Sequence, residues 1–465
     1  MTAELRAAFD RPGFLVTDAD VLASVTSDYR GWFRGPAAGL LRPNTVDEVR
    51  SAVRVCAENG FKIVPQGGNT SMCGGAVPSD DGNRWIVLSL ANLNRVRSID
   101  RTSWSVVAEA GCTISQIQGA AREAGRHFGL DFGARDSALL GGAIATNAGG
   151  MNVVRYGNCR ELVLGLEVVL ADGELWSGLK SLRKDNTGID LNHLFIGSEG
   201  TLGIITAAAL KLAPPEAWGQ SALVAVPSIE AASEFAERAL ILAGGGLSAL
   251  ELMPFIGVKG ACERIVKCQP PLPLCGDWYV LVRFAGNAES DVLEGHIEEA
   301  LQQGLCNDAV VAQSVAQEVQ LWAIRDAFSP FHRHLGQSIR FDYSVPIGQI
   351  PALYDRLCEA IRKLEPDFVP FAFGHLGDGN LHFSACQPPH GDPNAFIAKK
   401  QRIEDVANEV VWKLGGSISA EHGIGQLHRR ELAEQRSELD IELMRRVKHA
   451  LDPRDVLNPG KSFAR

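Results

Sequence analysis

Three glycine-dense loops crowd the first half of this chain. They are Gln66-Gly67-Gly68-Asn69-Thr70-Ser71 with Gly74-Gly75, the stretch from Gly133 to Gly157 holding Gly141-Gly142 and Gly149-Gly150, and Gly197-Ser198-Glu199-Gly200-Thr201-Leu202-Gly203. Glycine allows positive φ and lets another group approach the main chain closely. One such loop is an ordinary tight turn; three in succession call for a long ligand laid across them. The chain holds 48 glycines in 465 residues, about 10% against a usual ~7%. The excess has no G-X-Y period and the 22 prolines are ordinary, which excludes collagen-like and low-complexity classes.

The first loop follows the apolar run Phe61-Lys62-Ile63-Val64-Pro65. No G-x-G-x-x-G stands in that context, so a Rossmann fold is excluded. Gly460-Lys461-Ser462 ends like a P-loop, but Asp455 occupies the position of the first glycine and no helix follows. Successive glycines at 65–75 still form an anion cradle of converging N–H groups, with Asn69, Thr70 and Ser71 as neutral donors.

Length predicts two or three domains, and 46% hydrophobic with 22% charged residues is a globular composition. A net charge of -10 excludes a nucleic-acid coat or an anionic-membrane binder, and obliges an anionic ligand to find a locally positive pocket. Ten cysteines without a C-x-x-C pair read as free thiols. Met1 to Asp10 lacks an apolar h-region, and no run of ~18 apolar residues suggests a membrane span. The expectation is a cytoplasmic protein.

Thr45 to Gly60 has helical periodicity, and Asp172-Gly173 marks a hairpin turn between 162–170 and 174–176. Pro214-Pro215 is the clearest boundary. Beyond it, strands are expected at 222–226, 278–285, 308–313, 339–345 and 368–374, with helices at 229–243, 288–303, 315–328, 350–363, 393–414 and 438–451.

Gly374-His375-Leu376-Gly377-Asp378-Gly379-Asn380-Leu381-His382-Phe383 is the most informative decapeptide. Two histidines flanking a Gly-Asp-Gly-Asn turn can face each other across a hairpin, and imidazole suits zinc. Glu421-His422-Gly423, 39 residues past His382, offers a carboxylate and another imidazole. On spacing alone, a metal pair and two hydrogen-bonded core histidines stand as equal alternatives. Arg325 falls on a helix with Ser329 one turn later, and Arg340 opens a strand; an isolated arginine is most often a solvated surface residue.

Together these motifs resemble the FAD-binding oxidoreductases of the vanillyl-alcohol-oxidase type (the PCMH-type FAD domain), and within them the D-2-hydroxyacid dehydrogenase branch, with the D-2-hydroxyglutarate dehydrogenases nearest. The resemblance covers roughly residues 35–465. It implies an α+β fold: a two-subdomain FAD-binding domain over 1–214, an α+β substrate domain over 215–422, and a C-terminal helical segment over 423–465.

By the same resemblance Pro65, Gln66, Gly67, Gly68, Asn69, Thr70, Ser71, Gly74 and Gly75 wrap the FAD pyrophosphate. Ser137, Gly141, Gly142, Thr146, Asn147, Gly149 and Gly150 line the isoalloxazine and ribityl chain, and Gly200, Gly203 and Ile205 meet the adenine end. Asn458 and Lys461 match the family's C-terminal turn near the flavin ring, with a simple terminal turn as the alternative. Asn69 stands where covalently flavinylated relatives carry histidine, so FAD is expected to be non-covalent.

His375, His382 and Glu421 match the family's metal triad, with zinc the expected divalent ion, and His422 matches the catalytic base and a substrate contact. Asp378 and Asn380 are expected to form the turn and support the ligands. Arg325, Ser329 and Arg340 stand where the family has arginine, threonine and lysine around the distal carboxylate, and Ser384 replaces an asparagine.

The implied reaction is oxidation of a D-2-hydroxy acid, D-2-hydroxyglutarate or a similar dicarboxylate, to the 2-oxo acid by hydride transfer to flavin N5. A metal on the 2-hydroxyl lowers its pKa, and a histidine, which titrates near neutrality, takes the proton. A D-lactate dehydrogenase or a glycolate oxidase catalytic subunit is the alternative. A non-catalytic flavin-binding subunit is disfavoured by the intact His375, His382, Glu421 and His422. No iron–sulfur or haem motif is present in the sequence, so an electron-transferring flavoprotein or a quinone is the expected acceptor, with a homodimer as the default assembly.

Overall fold

In the computed structural model, Phe9 and residues 13–216, 219–243, 245–273, 276–285 and 291–462 are described. The amino-terminal decapeptide read for a leader lies, apart from Phe9, outside them, as do positions 288–290 of one expected helix. The described residues fall into two units. One is drawn from Met1–Gly149, Gly157–Pro215 and Glu421–Arg465, the other from Gly150–Tyr156 and Glu216–Ala420.

The first unit holds two sheets. Strands β1 (Leu15–Val16), β2 (Gly39–Leu41), β3 (Lys62–Gln66) and β4 (Trp85–Ser89) form one in the order β1-β2-β4-β3, with β4 parallel to both β2 and β3. Parallel strands are covered on both faces, and Ile63, Val64, Ile86, Val87 and Leu88 are fully buried. The helix Val46–Glu58 starts at Thr45, whose hydroxyl accepts the Glu48 N–H, and packs Val49, Ala52, Val53, Cys56 and Ala57 into this core. The second sheet is antiparallel: β5 (Val96–Asp100), β6 (Ser105–Glu109), β7 (Val163–Val169), β8 (Leu175–Ser177) and β9 (Ile204–Lys211), in the order β5-β6-β9-β7-β8. β7 and β8 are joined at Asp172-Gly173 with Gly173 at φ +81, as the turn chemistry requires.

The carboxy-terminal tail belongs to this unit because it pairs with β3: Leu457 bridges Ile63, and the Asn458 N–H donates to the Ile63 carbonyl at 2.7 Å. A buried ion pair fastens the tail. From the helix Glu438–Leu451, Lys448 Nζ donates to Asp452 Oδ2 at 2.6 Å and to the carbonyls of Thr201 and Leu457, both at 2.8 Å. The Asp452 carboxylate accepts the N–H groups of Val456 and Leu457.

The second unit is one antiparallel sheet of β10 (Gly219–Val226), β11 (Leu247–Pro254), β12 (Trp278–Ala285), β13 (Asp308–Val311), β14 (Ser338–Ser344), β15 (Val369–His375) and β16 (Asn380–Cys386), in the order β13-β10-β12-β11-β15-β16-β14. Alternation along β10 sends Ala222 and Val224 to the face covered by the helices Ile229–Leu242 and Ile350–Arg362, and Leu223 and Ala225 to the face covered by Val315–Asp326. The short excursion 150–156 is held here by Glu216, which accepts from Tyr156 Oη at 2.9 Å and Arg283 Nη1 at 2.7 Å and pairs with Arg155 at 3.3 Å.

The α+β architecture agrees with the sequence reading, and among the elements that differ from it are three in the second unit. Strand β11 was not anticipated, since Leu-Ser-Ala-Leu-Glu-Leu-Met-Pro is rich in helix formers; burial at all eight positions between β12 and β15 decides for strand. The helix expected to reach 328 ends at Asp326, because Pro330 has no N–H for the Asp326 carbonyl four residues back, and Ser329 sits on a separate short helix, Phe328–His332. The helix expected over 393–414 is two, Pro393–Ile397 and Lys400–Lys413.

Replacing Asp452 with Ala leaves buried Lys448 with only the more exposed Asp455, 3.4 Å away, as counter-ion, and should cost up to about 3–5 kcal/mol in reversible urea unfolding; Asp452→Asn, which keeps an acceptor, should cost less.

Candidate functional site

All three glycine loops open into one cavity of 310 Å³ in the first unit. Of the residues assigned to FAD, Pro65, Gly67, Gly68, Asn69, Thr70, Ser71, Gly75, Gly141, Gly142, Thr146, Gly149, Gly200, Gly203 and Ile205 line it, together with Glu421 and His422. The loops meet because they lack side chains. A Cβ on Gly68 would lie 2.0 Å from the Ser137 carbonyl oxygen, and one on Gly67 would lie 3.5 Å from the Gly142 backbone. Asn69 sits at φ +53 with its Nδ2 donating to the Ser27 carbonyl at 2.9 Å. Its buried Oδ1 has no hydrogen-bond partner among the described residues. A buried acceptor without a donor is costly, and a cavity walled by glycine backbone with an apolar floor at Leu90 and Ile204 fits a flavin dinucleotide carrying donors and a phosphate bridge.

Of the remaining assigned residues, Gln66, Gly74, Ser137, Asn147 and Asn458 support the wall without lining it. Buried Gln66 donates to the carbonyls of Val25 at 2.9 Å and Ala76 at 2.8 Å, closing the first loop on itself. Gly74 packs against the Phe33 ring at φ +71, Ser137 donates to the Ala134 carbonyl, and Asn147 accepts the Arg160 N–H at 2.9 Å. Gly150 belongs to the second unit. Asn458 donates to the carbonyls of Gly75 at 2.9 Å and Glu199 at 2.8 Å, so it ties the first loop to the third. Lys461, read as a flavin neighbour, does not line the cavity: it is wholly buried, with Nζ donating to the Val77 carbonyl and lying 5.3 Å from the Trp85 ring centroid. Burial pushes its ammonium down to about 7, against the opposing pull of Glu199 and Asp81.

Glu199 was missed in the sequence. It lines the cavity, and its carboxylate accepts the N–H groups of Ile424 at 2.6 Å and Gly425 at 2.8 Å. Burial raises its carboxyl pKa against the pull of those bonds. It thereby pins the backbone immediately after His422. A non-glycine residue within Gly-Ser-Glu-Gly, here at φ +52, was the available signal.

In the second unit His375 ends β15 and His382 lies on β16. The turn between them is a 3-10 segment, Leu376–Asp378, closed by Gly379 at φ +82, where a Cβ would meet the Val345 carbonyl oxygen at 2.1 Å. The two rings are 5.3 Å apart and nearly perpendicular, with ring nitrogens within 4.8 Å of each other. Each ring bears a carboxylate at Nδ1: Glu251 Oε1 at 2.5 Å from His375, and Asp342 Oδ1 at 3.3 Å from His382. A histidine oriented in this way presents Nε2 to a cation. Asp378 accepts the Asn380 N–H at 3.3 Å, and Asn380 Nδ2 donates to Asp342 at 3.0 Å, so both take the turn and support roles expected of them. Ser419 bridges Asp342, and the Ala420 N–H donates to the Asp342 carbonyl at 3.0 Å.

Arg325 is buried, with Nε donating to Glu251 Oε2 at 2.6 Å and its guanidinium 4.8 Å from the Phe373 ring centroid. Burial alone would raise the Glu251 carboxyl, but Arg325 and His375 outweigh it and hold the group at about 2. Arg340 is exposed on β14 and is the direct register partner of buried Ser384 on β16. Ser329 is exposed.

Residues 216–462 match the family described as FAD linked oxidases, C-terminal domain, and residues 37–178 match the FAD binding domain. The sequence is similar to a D-2-hydroxyglutarate dehydrogenase of Xanthomonas citri pv. viticola, at 37% identity over 93% of this chain and 90% of the relative. It is also similar to the mitochondrial D-2-hydroxyglutarate dehydrogenase of Bos taurus, at 36% identity over 98% of this chain and 82% of the relative. Among solved structures, p-cresol methylhydroxylase with substrate bound matches at a TM-score of 0.73 and 17% identity, covering 99% of this chain and 97% of that one, a likeness of fold.

The close approach at Gly68 gives a direct test of the cavity. Gly68→Ala should yield folded protein with far less bound flavin, read as a fall in the ratio of absorbance near 450 nm to that at 280 nm; full flavin content would show that the loops can part without losing the cofactor.

Proposed function

We propose that this chain, which belongs to the FAD-linked oxidase family and is an FAD-dependent dehydrogenase acting on CH–OH donors, oxidises D-2-hydroxyglutarate, or a dicarboxylate of similar shape, to the 2-oxo acid. The observation that carries this reading is the presence of His422 in the wall of the cavity formed by the three glycine loops. A proton acceptor is thereby at hand where a flavin ring would receive a hydride.

Bound FAD supplies the two-electron acceptor for the substrate's C2 hydrogen. The chain supplies the rest. His422 takes the hydroxyl proton, and Glu199 holds the backbone after it, so the imidazole has a defined place. Asn69 stands in the first loop where a tethering histidine would be needed, so the cofactor is held by contacts alone.

A divalent ion, with zinc the best match to the donors, would be held by His375, His382 and Glu421. What supports this is that both rings carry a carboxylate at Nδ1, the arrangement that readies Nε2 as a ligand. Such an ion would polarise the substrate hydroxyl. Arg340, with Ser384 across the strand pair and Arg325 nearer His375, would supply the positive charge that a dicarboxylate needs in a chain of net charge -10. An electron-transferring flavoprotein or a quinone would take the electrons onward.

A second reading, a D-lactate or glycolate oxidising enzyme, draws on the same cavity. It is favoured only by the exchange of lysine, threonine and asparagine for Arg340, Ser329 and Ser384 at the distal end.

Anaerobic addition of D-2-hydroxyglutarate should bleach the flavin of the purified protein, and prior removal of divalent ions with a chelator should slow that bleaching. Bleaching at an unchanged rate after metal removal would refute the ion's role. Replacing Arg340 with Met should lower kcat/KM for D-2-hydroxyglutarate by about tenfold or more, the worth of one charge-assisted hydrogen bond, while barely affecting D-lactate. Equal losses on both acids would remove the argument for a distal carboxylate.

A further inference from the structure

We propose that Glu251 is a positioning residue that orients His375 as a metal ligand and Arg325 as an anion-binding side chain through one shared carboxylate. The inference rests on the reading of the ion and the dicarboxylate given above. Glu251 lies at the centre of β11, completely buried in a strand otherwise occupied by Leu, Ser, Ala, Met and Pro. It is the direct register partner of His375 on β15. Its two oxygens are divided between the two partners: Oε1 accepts from His375 Nδ1 at 2.5 Å and Oε2 accepts from Arg325 Nε at 2.6 Å.

A buried ion pair is weak evidence for stability, since apolar side chains of similar volume often serve a core as well or better. Orientation is what this geometry supplies. An acceptor at Nδ1 sets the tautomer in which Nε2 carries the lone pair, and second-sphere carboxylates of this kind commonly govern metal affinity. On the other side, a guanidinium held through Nε and lying over the Phe373 ring is fixed in plane, with its terminal amino groups as the edge that meets a carboxylate. Cation and substrate sites are thus coupled through a residue that touches neither.

The test compares wild type, Glu251→Gln and the double variant E251Q/R325M as full-length flavoproteins. Zinc affinity is read by competition with a chromogenic chelator, flavin content by absorbance, and KM and kcat with D-2-hydroxyglutarate. Glu251→Gln should weaken zinc by about 10- to 100-fold and raise KM for the diacid, with the flavin spectrum retained. The double variant removes the stranded buried charge, so it stays folded even if the single variant does not, and its zinc affinity should remain weak. Zinc affinity restored to the wild-type value in E251Q/R325M would overturn the proposal, because Glu251 would then serve only to neutralise Arg325. A wild-type chain that binds no zinc would overturn the metal reading and this inference with it; wild-type binding that neither variant alters would overturn this inference alone.

Discussion

The close approach of the first loop's backbone at Gly68 to the Ser137 carbonyl of the second is the constraint on which the cavity depends. At Gly68 even a methyl would overlap the Ser137 carbonyl, whereas one at Gly67 would only touch the Gly142 backbone at an ordinary 3.5 Å. What the missing side chains leave is a wall largely of glycine backbone beside apolar side chains, and the buried Oδ1 of Asn69 adds an acceptor with no donor among the described residues. The surrounding bonds serve to keep those strips of backbone in place. Gln66 closes the first loop, Asn458 links it to the third, and Glu199 carries the third to the segment holding His422. The tail anchored by Lys448 and Asp452 delivers Asn458 to that junction.

The second unit solves a different problem, the placing of charge in a core. Five ionisable side chains, Glu251, Arg325, Asp342, His375 and His382, are arranged so that each carboxylate faces a histidine, and Glu251 faces an arginine as well. Burial of a carboxylate is unfavourable unless it is paired and hydrogen-bonded, and Glu251 meets that condition with both oxygens. Antiparallel pairing does the aligning: Glu251 stands opposite His375, and Asp342 opposite His382. A one-residue slip in either pair would send the carboxylate to the opposite face of the sheet.

Much of this was legible from sequence because it depends on local chemistry. Glycine loops, the Asp172-Gly173 hairpin, the Gly379 turn and the helix opening at Thr45 follow from backbone preferences that neighbours cannot easily override. Long-range partners left weaker marks. Strand β11 reads as helix in isolation, and with it Glu251 passed unnoticed, although it is the common partner of two residues that had been singled out. Glu199 was hidden in a glycine loop read only for its backbone, and Lys461 gave a motif-like signal that burial against Val77 and Trp85 explains differently.

The sequence alone pointed to a long ligand laid over glycine loops and to an inventory of reactive groups, because glycine spacing and the histidine decapeptide express constraints acting over a few residues; the identity of that ligand as FAD came with the family resemblance. Tertiary structure decided which carboxylate meets which imidazole, which arginine is buried and which exposed, and which assigned residues line the cavity or merely brace it. Those outcomes rest on strand register and on burial between elements far apart in the chain. They are set by the free energy of the whole fold, to which no single segment's propensity is a guide.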